Sequence, residues 1–198
     1  YLIDGADKRF IPFAYDWRQA NEVSAQTLSD RLNLETEVDD IVLIGHSMGG
    51  LVARYCLESG HFDEQPWFNK VRQLITFGTP HKGAPAALKQ VSGFGANLGL
   101  TAKGVKKLAS DERYPSAYQL VPPLGTSMVL RQAYRNDLPA LVEPFDSDII
   151  SKFSLSINNI EASKRFWSVL DVVKRPAGIK YFSFVGSAHK TLYRLDWN

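Results

Sequence analysis

Apolar residues recur along this chain in two rhythms, one suited to strands and one to helices. Phe10-Ile11-Pro12-Phe13-Ala14-Tyr15 reads as a strand despite its proline, and Asp16-Trp17-Arg18 ends it. From Gln19 to Leu34, the residues Val23, Leu28, Leu32 and Leu34 fall at mostly helical spacing, which predicts an amphipathic helix. An acidic connector from Glu35 to Asp40 leads into Ile41-Val42-Leu43-Ile44. That continuous apolar run is the pattern of a strand buried on both faces of a parallel sheet. Gly49 to Ser59 is helical, with Gly60 as its stop. Val71 to Phe77 is the next strand, ending in Gly78-Thr79-Pro80, and Ile179 to Val185 is the last. Strand, helix, strand, helix, strand is the order of an α/β fold: a mostly parallel sheet with helices on both faces.

The stretch between Phe77 and Ile179 is far longer than a single crossover helix requires. It holds helix-like pieces at Gly104 to Ser110, Thr126 to Tyr134 and Ile160 to Val173, with a Gly-rich loop or tight-turn region from Val91 to Gly104. The expected organisation is therefore a core over 1–83, an inserted, largely helical cap over 84–178, and a return to the core sheet over 179–198. Phe166, Trp167, Val169, Leu170 and Val173 form a broad apolar helix face that is expected to dock on the sheet domain.

Composition narrows the chemistry. The 198 residues are 44% hydrophobic and 12% aromatic, enough for one domain with a sizeable core. A formal charge of +2, with acids and bases interspersed, points to no nucleic-acid partner. No apolar run approaches the roughly 20 residues that span a bilayer. Cys56, the one cysteine, reads as a small buried hydrophobe, and a lone thiol leans towards a reducing, cytoplasmic compartment. No Cys/His cluster has metal-ligand spacing, and Gly93-x-Gly95 follows no strand, so neither a metal nor a cofactor is expected. The chain opens on Tyr1-Leu2-Ile3 without a methionine, as a piece of a longer protein would.

The candidate chemistry lies in Gly45-His46-Ser47-Met48-Gly49, a G-x-S-x-G pattern between a buried strand and a helix. A tight strand-to-helix turn holds its serine at positive φ and brings the flanking residues together, so only small side chains fit there. The hydroxyl is then lifted above the carboxyl end of the strand, where open α/β sheets bind ligands. Ser47 is thus the candidate nucleophile, and the backbone N–H of Met48 the first oxyanion donor. A plain Ser-Gly helix cap is the alternative.

These residues resemble a known family. GHSMGG after an apolar strand looks like the α/β-hydrolase fold. Phe13-Ala14-Tyr15-Asp16-Trp17-Arg18, Phe77-Gly78-Thr79-Pro80-His81-Lys82-Gly83-Ala84 and Tyr114-Pro115-Ser116-Ala117-Tyr118-Gln119-Leu120-Val121-Pro122 are similar to segments of lecithin:cholesterol acyltransferase-like proteins. The resemblance implies a serine acyl hydrolase or acyltransferase acting on lipid esters. It makes Ser47 the nucleophile and Asp16 with Arg18 a loop-holding pair. Trp17 either lines an acyl or head-group pocket or packs in the core. Leu120 and Val121 lie in a Pro-stiffened turn that either lines an acyl tunnel or ties two helices together. Lys103, Lys106 and Lys107 form either a solvated helix face or a site for anionic phospholipid head groups, which would allow transient contact with a membrane surface.

Ser47 also needs a base and an acid, which follow it in the order acid then histidine in this fold. His46 lies inside the elbow and is expected to point away from Ser47 and to pack or hydrogen-bond beside the strand. His61 ends a helix, and His81 shapes the Gly-Thr-Pro loop. His189 and Asp196 remain as in-chain candidates, but no histidine follows Asp196. The resemblance therefore places acid and base beyond Asn198, and the oxyanion loop and early strands before Tyr1. The rivals are a scaffold with the same fold and no working triad, and a hydrolase of small non-lipid esters.

Overall fold

A computed structural model describes residues 9–96, 99–126, 129–131, 140–170 and 175–197. The first sheet is parallel, in the order β1 (Ile41–His46), β2 (Val71–Phe77), β5 (Lys180–Phe184). Ile44 sits opposite Ile75, and Ile75 opposite Phe182, so the apolar runs read from sequence align in register. The fold is α/β. Helix α1 (Asn21–Asn33) packs on α2 (Met48–Glu58), and α2 packs on β1 and β2.

One core lies under α2. Leu51, Val52, Cys56 and Leu57 meet Leu43 and Leu74 from the sheet, with Phe62 and Trp67 closing one end. Each such side chain contributes about 1.5–3 kcal/mol by leaving water. Trp67 donates its indole N–H to Ser29 Oγ at 3.0 Å, so its polar edge is satisfied in the interior. Cys56 is enclosed, its thiol 3.4 Å from the Ala25 carbonyl, and burial pushes its pKa up.

Val42, Ile44, Phe77, Phe182 and Phe184 are exposed, and the Phe77 and Phe184 rings stack at 4.9 Å. Burial of β1 on both faces is not what these residues show. Ile41 and Leu43 are covered and Val42 and Ile44 are not, because the described helices cover only one side of this sheet.

Residues between β2 and β5 build a second core. It is made by α3 (Pro85–Val91), α4 (Ala102–Ala109), α5 (Ser116–Gln119), β3 (Val129–Arg131), β4 (Ala140–Val142), α6 (Ser147–Phe153) and α7 (Ile157–Val169). β3 pairs antiparallel with β4 and parallel with β6 (Leu195–Trp197). The helix read over Thr126 to Tyr134 is corrected here. Val129 to Arg131 is a strand, and 127–128 and 132–139 lie outside the described residues. Over these three residues, pairing with β4 and β6 takes the backbone groups a helix would use. Gly104 to Ser110 and Ile160 to Val173 correspond to α4 and α7, with 171–174, including Val173, outside the described residues. The Val91-to-Gly104 segment runs between α3 and α4, entering α4 at Ala102; residues 97–98 lie outside the described ones. Of the apolar face read on α7, Phe166 joins the first core and stacks on Tyr55 of α2 at 5.7 Å.

Phe10 to Tyr15 forms no strand. Pro12 has no N–H to give, and the segment instead packs Phe13 and Tyr15, stacked at 5.7 Å, against the first core.

The start of α1 shows how the two cores are joined. Ala20 offers no capping side chain. Gln119 of α5 takes that role: its Oε1 accepts the Asn21 N–H at 2.8 Å, and its Nε2 donates to Glu22 at 2.6 Å. A helix terminus leaves free N–H groups that need partners, and here one comes from the far side of the chain.

Candidate active site

Ser47 joins β1 to α2 at φ 52° and ψ −125°. For a residue with a Cβ this is a strained conformation, held because the surroundings over-determine it. Ser47 N–H donates to the Phe77 carbonyl at 2.9 Å, extending the β1–β2 ladder into the turn, and its own carbonyl accepts Gly50 N–H at 3.1 Å. The side chain is exposed and makes no capping hydrogen bond to the helix it precedes. A capping serine would spend its hydroxyl on the helix N–H groups; this one does not.

Two glycines make the corner possible. A Cβ on Gly45 would lie 2.6 Å from both the N and Cα of Gly50, contacts between backbone atoms that have nowhere to move. A Cβ on Gly50 would lie 2.1 Å from Thr79 Oγ1. The Gly-Thr-Pro loop thus packs directly on the elbow. The tip of Tyr15 is also near: its hydroxyl would be 3.7 Å from a Cβ on Gly49. Tyr15 and Thr79 sit in the motifs quoted from sequence, but only their packing shows why.

Met48 is the first residue of α2, and its side chain is buried. Its N–H therefore belongs to the group of helix-start donors that favour negative charge.

Beneath the elbow lies an ion pair that the sequence reading missed. Arg54 and Glu58, both enclosed, pair within α2, with Arg54 Nη2 to Glu58 Oε2 at 2.6 Å and Nε to Oε1 at 3.0 Å. Arg54 Nη1 also donates to the His81 carbonyl at 3.1 Å, and Arg175 approaches Glu58 to 3.5 Å. This group clamps α2 to the Gly-Thr-Pro loop. Its signal was an i, i+4 Arg/Glu pair inside an otherwise apolar helix.

The histidines take separate places. His46 is exposed, not packed beside the strand as read from sequence, because alternation along β1 turns it to the open face. His61 Nδ1 lies 3.0 Å from the Tyr55 hydroxyl. Burial and a carboxylate nearby, Glu22, push Tyr55 up to about 12. His81 Nε2 meets the Thr76 and Ser183 hydroxyls at 3.1 and 3.2 Å, tying the loop to β2 and β5. Burial, then Arg54 and Arg175, hold its pKa below the usual histidine range. His189 lies in an exposed segment after β5. Asp196 lies in β6 of the second sheet, ion-paired with Arg194 at 3.0 Å. Among the described residues no hydrogen bond joins Ser47 to a histidine, or His189 to Asp196.

Asp16 and Arg18 form a two-point pair, Nε to Oδ1 at 2.8 Å and Nη2 to Oδ2 at 2.7 Å. These hydrogen bonds lower the Asp16 pKa to about 2. Trp17 and Arg18 line an open cavity of about 540 Å³ with Lys107, Arg113 and Tyr114. The guanidinium groups of Arg18 and Arg113 lie 4.8 and 5.3 Å from the Tyr114 ring centre. Leu120 is half-buried between the two cores, and Val121 is fully enclosed in the second. Their carbonyls act as ties: Leu120 O accepts Ala84 N–H at 2.8 Å, and Val121 O accepts the Trp167 indole N–H at 3.0 Å. Of the three lysines of α4, Lys103 and Lys107 are exposed and Lys106 is half-buried. No group of three potential metal ligands occurs among the described residues, and none of their helices is long and apolar enough to cross a membrane.

A serine held at positive φ between a parallel strand and the helix that covers it marks a protein of the α/β-hydrolase superfamily. The fold resembles that of a solved structure described as "The crystal structure of Tle4-Tli4 complex" (TM-score 0.55, 16% identity, 83% of this chain and 42% of the other). Residues 5–170 match the family model described as lecithin:cholesterol acyltransferase, and the chain belongs to that family. A shorter stretch, 47 residues and 24% of the chain, is 45% identical to a GPI inositol-deacylase from Emericella nidulans, covering 4% of that protein. The chain thus spans less than half of each of these relatives.

Proposed function

We propose that Ser47 is the nucleophile of an enzyme that hydrolyses or transfers acyl groups of lipid esters. The observation that carries this reading is the strained, exposed serine that leaves its hydroxyl uncommitted. Strain of this kind persists where the surroundings hold it, and it clusters at active sites. Membership of the lecithin:cholesterol acyltransferase family supports lipid esters as the substrate class.

In this mechanism a histidine takes the Ser47 proton as Oγ attacks the ester carbonyl. The resulting oxyanion is held by the Met48 N–H and a second amide. Collapse breaks the ester C–O bond, and the leaving alcohol departs with the proton from the histidine. Water or an acceptor alcohol then attacks the acyl-enzyme, giving up a proton to the same histidine, and collapse breaks the acyl C–Oγ bond as the histidine returns that proton to Ser47 Oγ. The placement of His189 and Asp196 supports base and acid supplied by polypeptide outside this segment, which would complete the site. Trp17, with Arg18, is proposed to meet the substrate. The enzyme is proposed to contact membrane surfaces only transiently.

A fluorophosphonate probe tests the reading on the full-length protein. Labelling is expected at Ser47, and Ser47→Ala is expected to abolish it while leaving the melting temperature unchanged. A folded, full-length protein that takes no label would instead be a scaffold. Comparison of phospholipid, triglyceride and short-chain ester turnover would separate a lipid enzyme from a small-ester hydrolase.

A further inference from the structure

The second core contains a cavity that does not include Ser47. It encloses about 480 Å³, within the roughly 300–1,000 Å³ of small-molecule sites. Its floor is apolar: Leu88 from α3, Val129 from β3 and Ile149 from α6 are all buried. Its rim is apolar and partly exposed, with Phe153 half-buried and Phe94 open to solvent. Phe94 and Phe153 meet edge to face at 5.4 Å, and Leu192 stands exposed beside them. A greasy floor under a partly exposed aromatic rim is a place for a hydrocarbon chain, since water gains nothing from such walls.

Charge at the mouth defines the other end of the ligand. Lys89, Lys152 and Arg194 line the cavity, with Asp196 as the single acid among its lining residues. Asp196 is already engaged by Arg194 at 3.0 Å. Lys89, exposed in the last turn of α3, therefore supplies positive charge at the mouth.

We propose that this cavity is a binding site for a single-chain amphiphile with an anionic head, the chain lying on Leu88, Val129 and Ile149 and the head at Lys89. A free fatty acid and an alkyl phosphate share this chemistry. The site is separate from the elbow, so the proposal does not depend on the catalytic reading of Ser47.

Calorimetric titration of full-length Ser47→Ala protein, below the critical micelle concentration, tests it with laurate, dodecyl phosphate and dodecanol. Saturable binding of one or both anions, at least tenfold tighter than dodecanol, is expected. The tighter of the two identifies the head group. Myristate should bind about fifteenfold tighter than laurate, because each of its two extra CH₂ groups, once buried, is worth about a factor of four. Lys89→Gln is expected to weaken both anions severalfold and leave dodecanol unchanged. Leu192→Trp, at the exposed rim, should block all three ligands without changing fluorophosphonate labelling when placed in the protein with Ser47 intact. Equal affinity for dodecanol and the anions would overturn the anionic head. Binding of no ligand by folded protein, or binding that Leu192→Trp leaves unchanged, would overturn the site itself.

Discussion

The sheet that carries Ser47 and the sheet of the second core are both three strands wide, but different forces hold them. In the first, five or more residues pair along each strand boundary, and α2 seals one face with a continuous apolar surface. In the second, each boundary pairs three residues, too few to define a sheet unaided. Its surroundings are fixed by side chains that reach backbone groups far away in sequence. Asn159 Nδ2 donates to the Ala109 carbonyl at 2.8 Å, Ser163 Oγ to the Tyr118 carbonyl at 2.8 Å, and the Ser156 N–H to the Tyr118 hydroxyl at 2.9 Å. The Pro-Ser-Ala-Tyr-Gln segment is the hub of these ties. Local pattern builds the platform for the elbow, whereas long-range polar contacts build the second core.

The sharpest way to break this comparison is inside the elbow helix. Glu58→Ala would leave Arg54 charged and enclosed, with the His81 carbonyl as its remaining hydrogen-bond acceptor among the described residues. Removing one partner of a buried pair costs about 3–5 kcal/mol. Chemical denaturation is expected to show a loss of this size, with Glu58→Gln intermediate. A loss below 1 kcal/mol would mean that α2 is held by its apolar face alone.

Gly45→Ala tests whether the corner itself matters. The added methyl meets the Gly50 backbone, so the elbow must open. Overpacking costs about 1–3 kcal/mol. Displacement of a nucleophile by an ångström costs on the order of 100-fold in rate. Fluorophosphonate labelling should therefore slow far more than stability falls. Unchanged labelling would detach the chemistry from this geometry.

Gln119→Ala tests the joint between the two regions. It would strip the Asn21 N–H of its acceptor and Glu22 of its donor, at about 1–2 kcal/mol. Amide hydrogen exchange should rise at the first turn of α1. No change there would mean that the cores do not depend on this tie.

Sequence made the platform readable because its signals are local. The apolar run at Ile41 appears as β1, the helix after Ser47 as α2, and glycines at 45 and 50 mark a corner where backbones touch. What escaped was whatever depends on distant partners. Val129 to Arg131 lies in a stretch whose sequence pattern reads as helix, but it has two strands as neighbours in space. Gln119 looks like an ordinary polar helix residue until Asn21 is seen beside it. Phe10 to Tyr15 carries strand composition but pairs with nothing among the described residues. His81 was read as loop-shaping, and the Thr76 and Ser183 hydroxyls show how it does so.

That histidine also provides the subtlest test. Burial, aided by the positive charges of Arg54 and Arg175, depresses its folded-state pKa. In the unfolded chain it would take up a proton near the ordinary value of about 6.5. Between those two values the unfolded state holds the extra proton, so stability must fall as pH drops. Above about 6.5 His81 is neutral in both states and contributes no slope. The urea midpoint is expected to decline from about pH 7 to about pH 5, and less steeply in His81→Asn, which has nothing to protonate there. Comparing slopes, rather than midpoints at one pH, removes the carboxylates common to both proteins and any packing cost of the substitution. Parallel slopes would show that His81 is as free to protonate in the folded loop as in the unfolded chain, and that the clamp of Arg54 and Glu58 lies too far away to sense it.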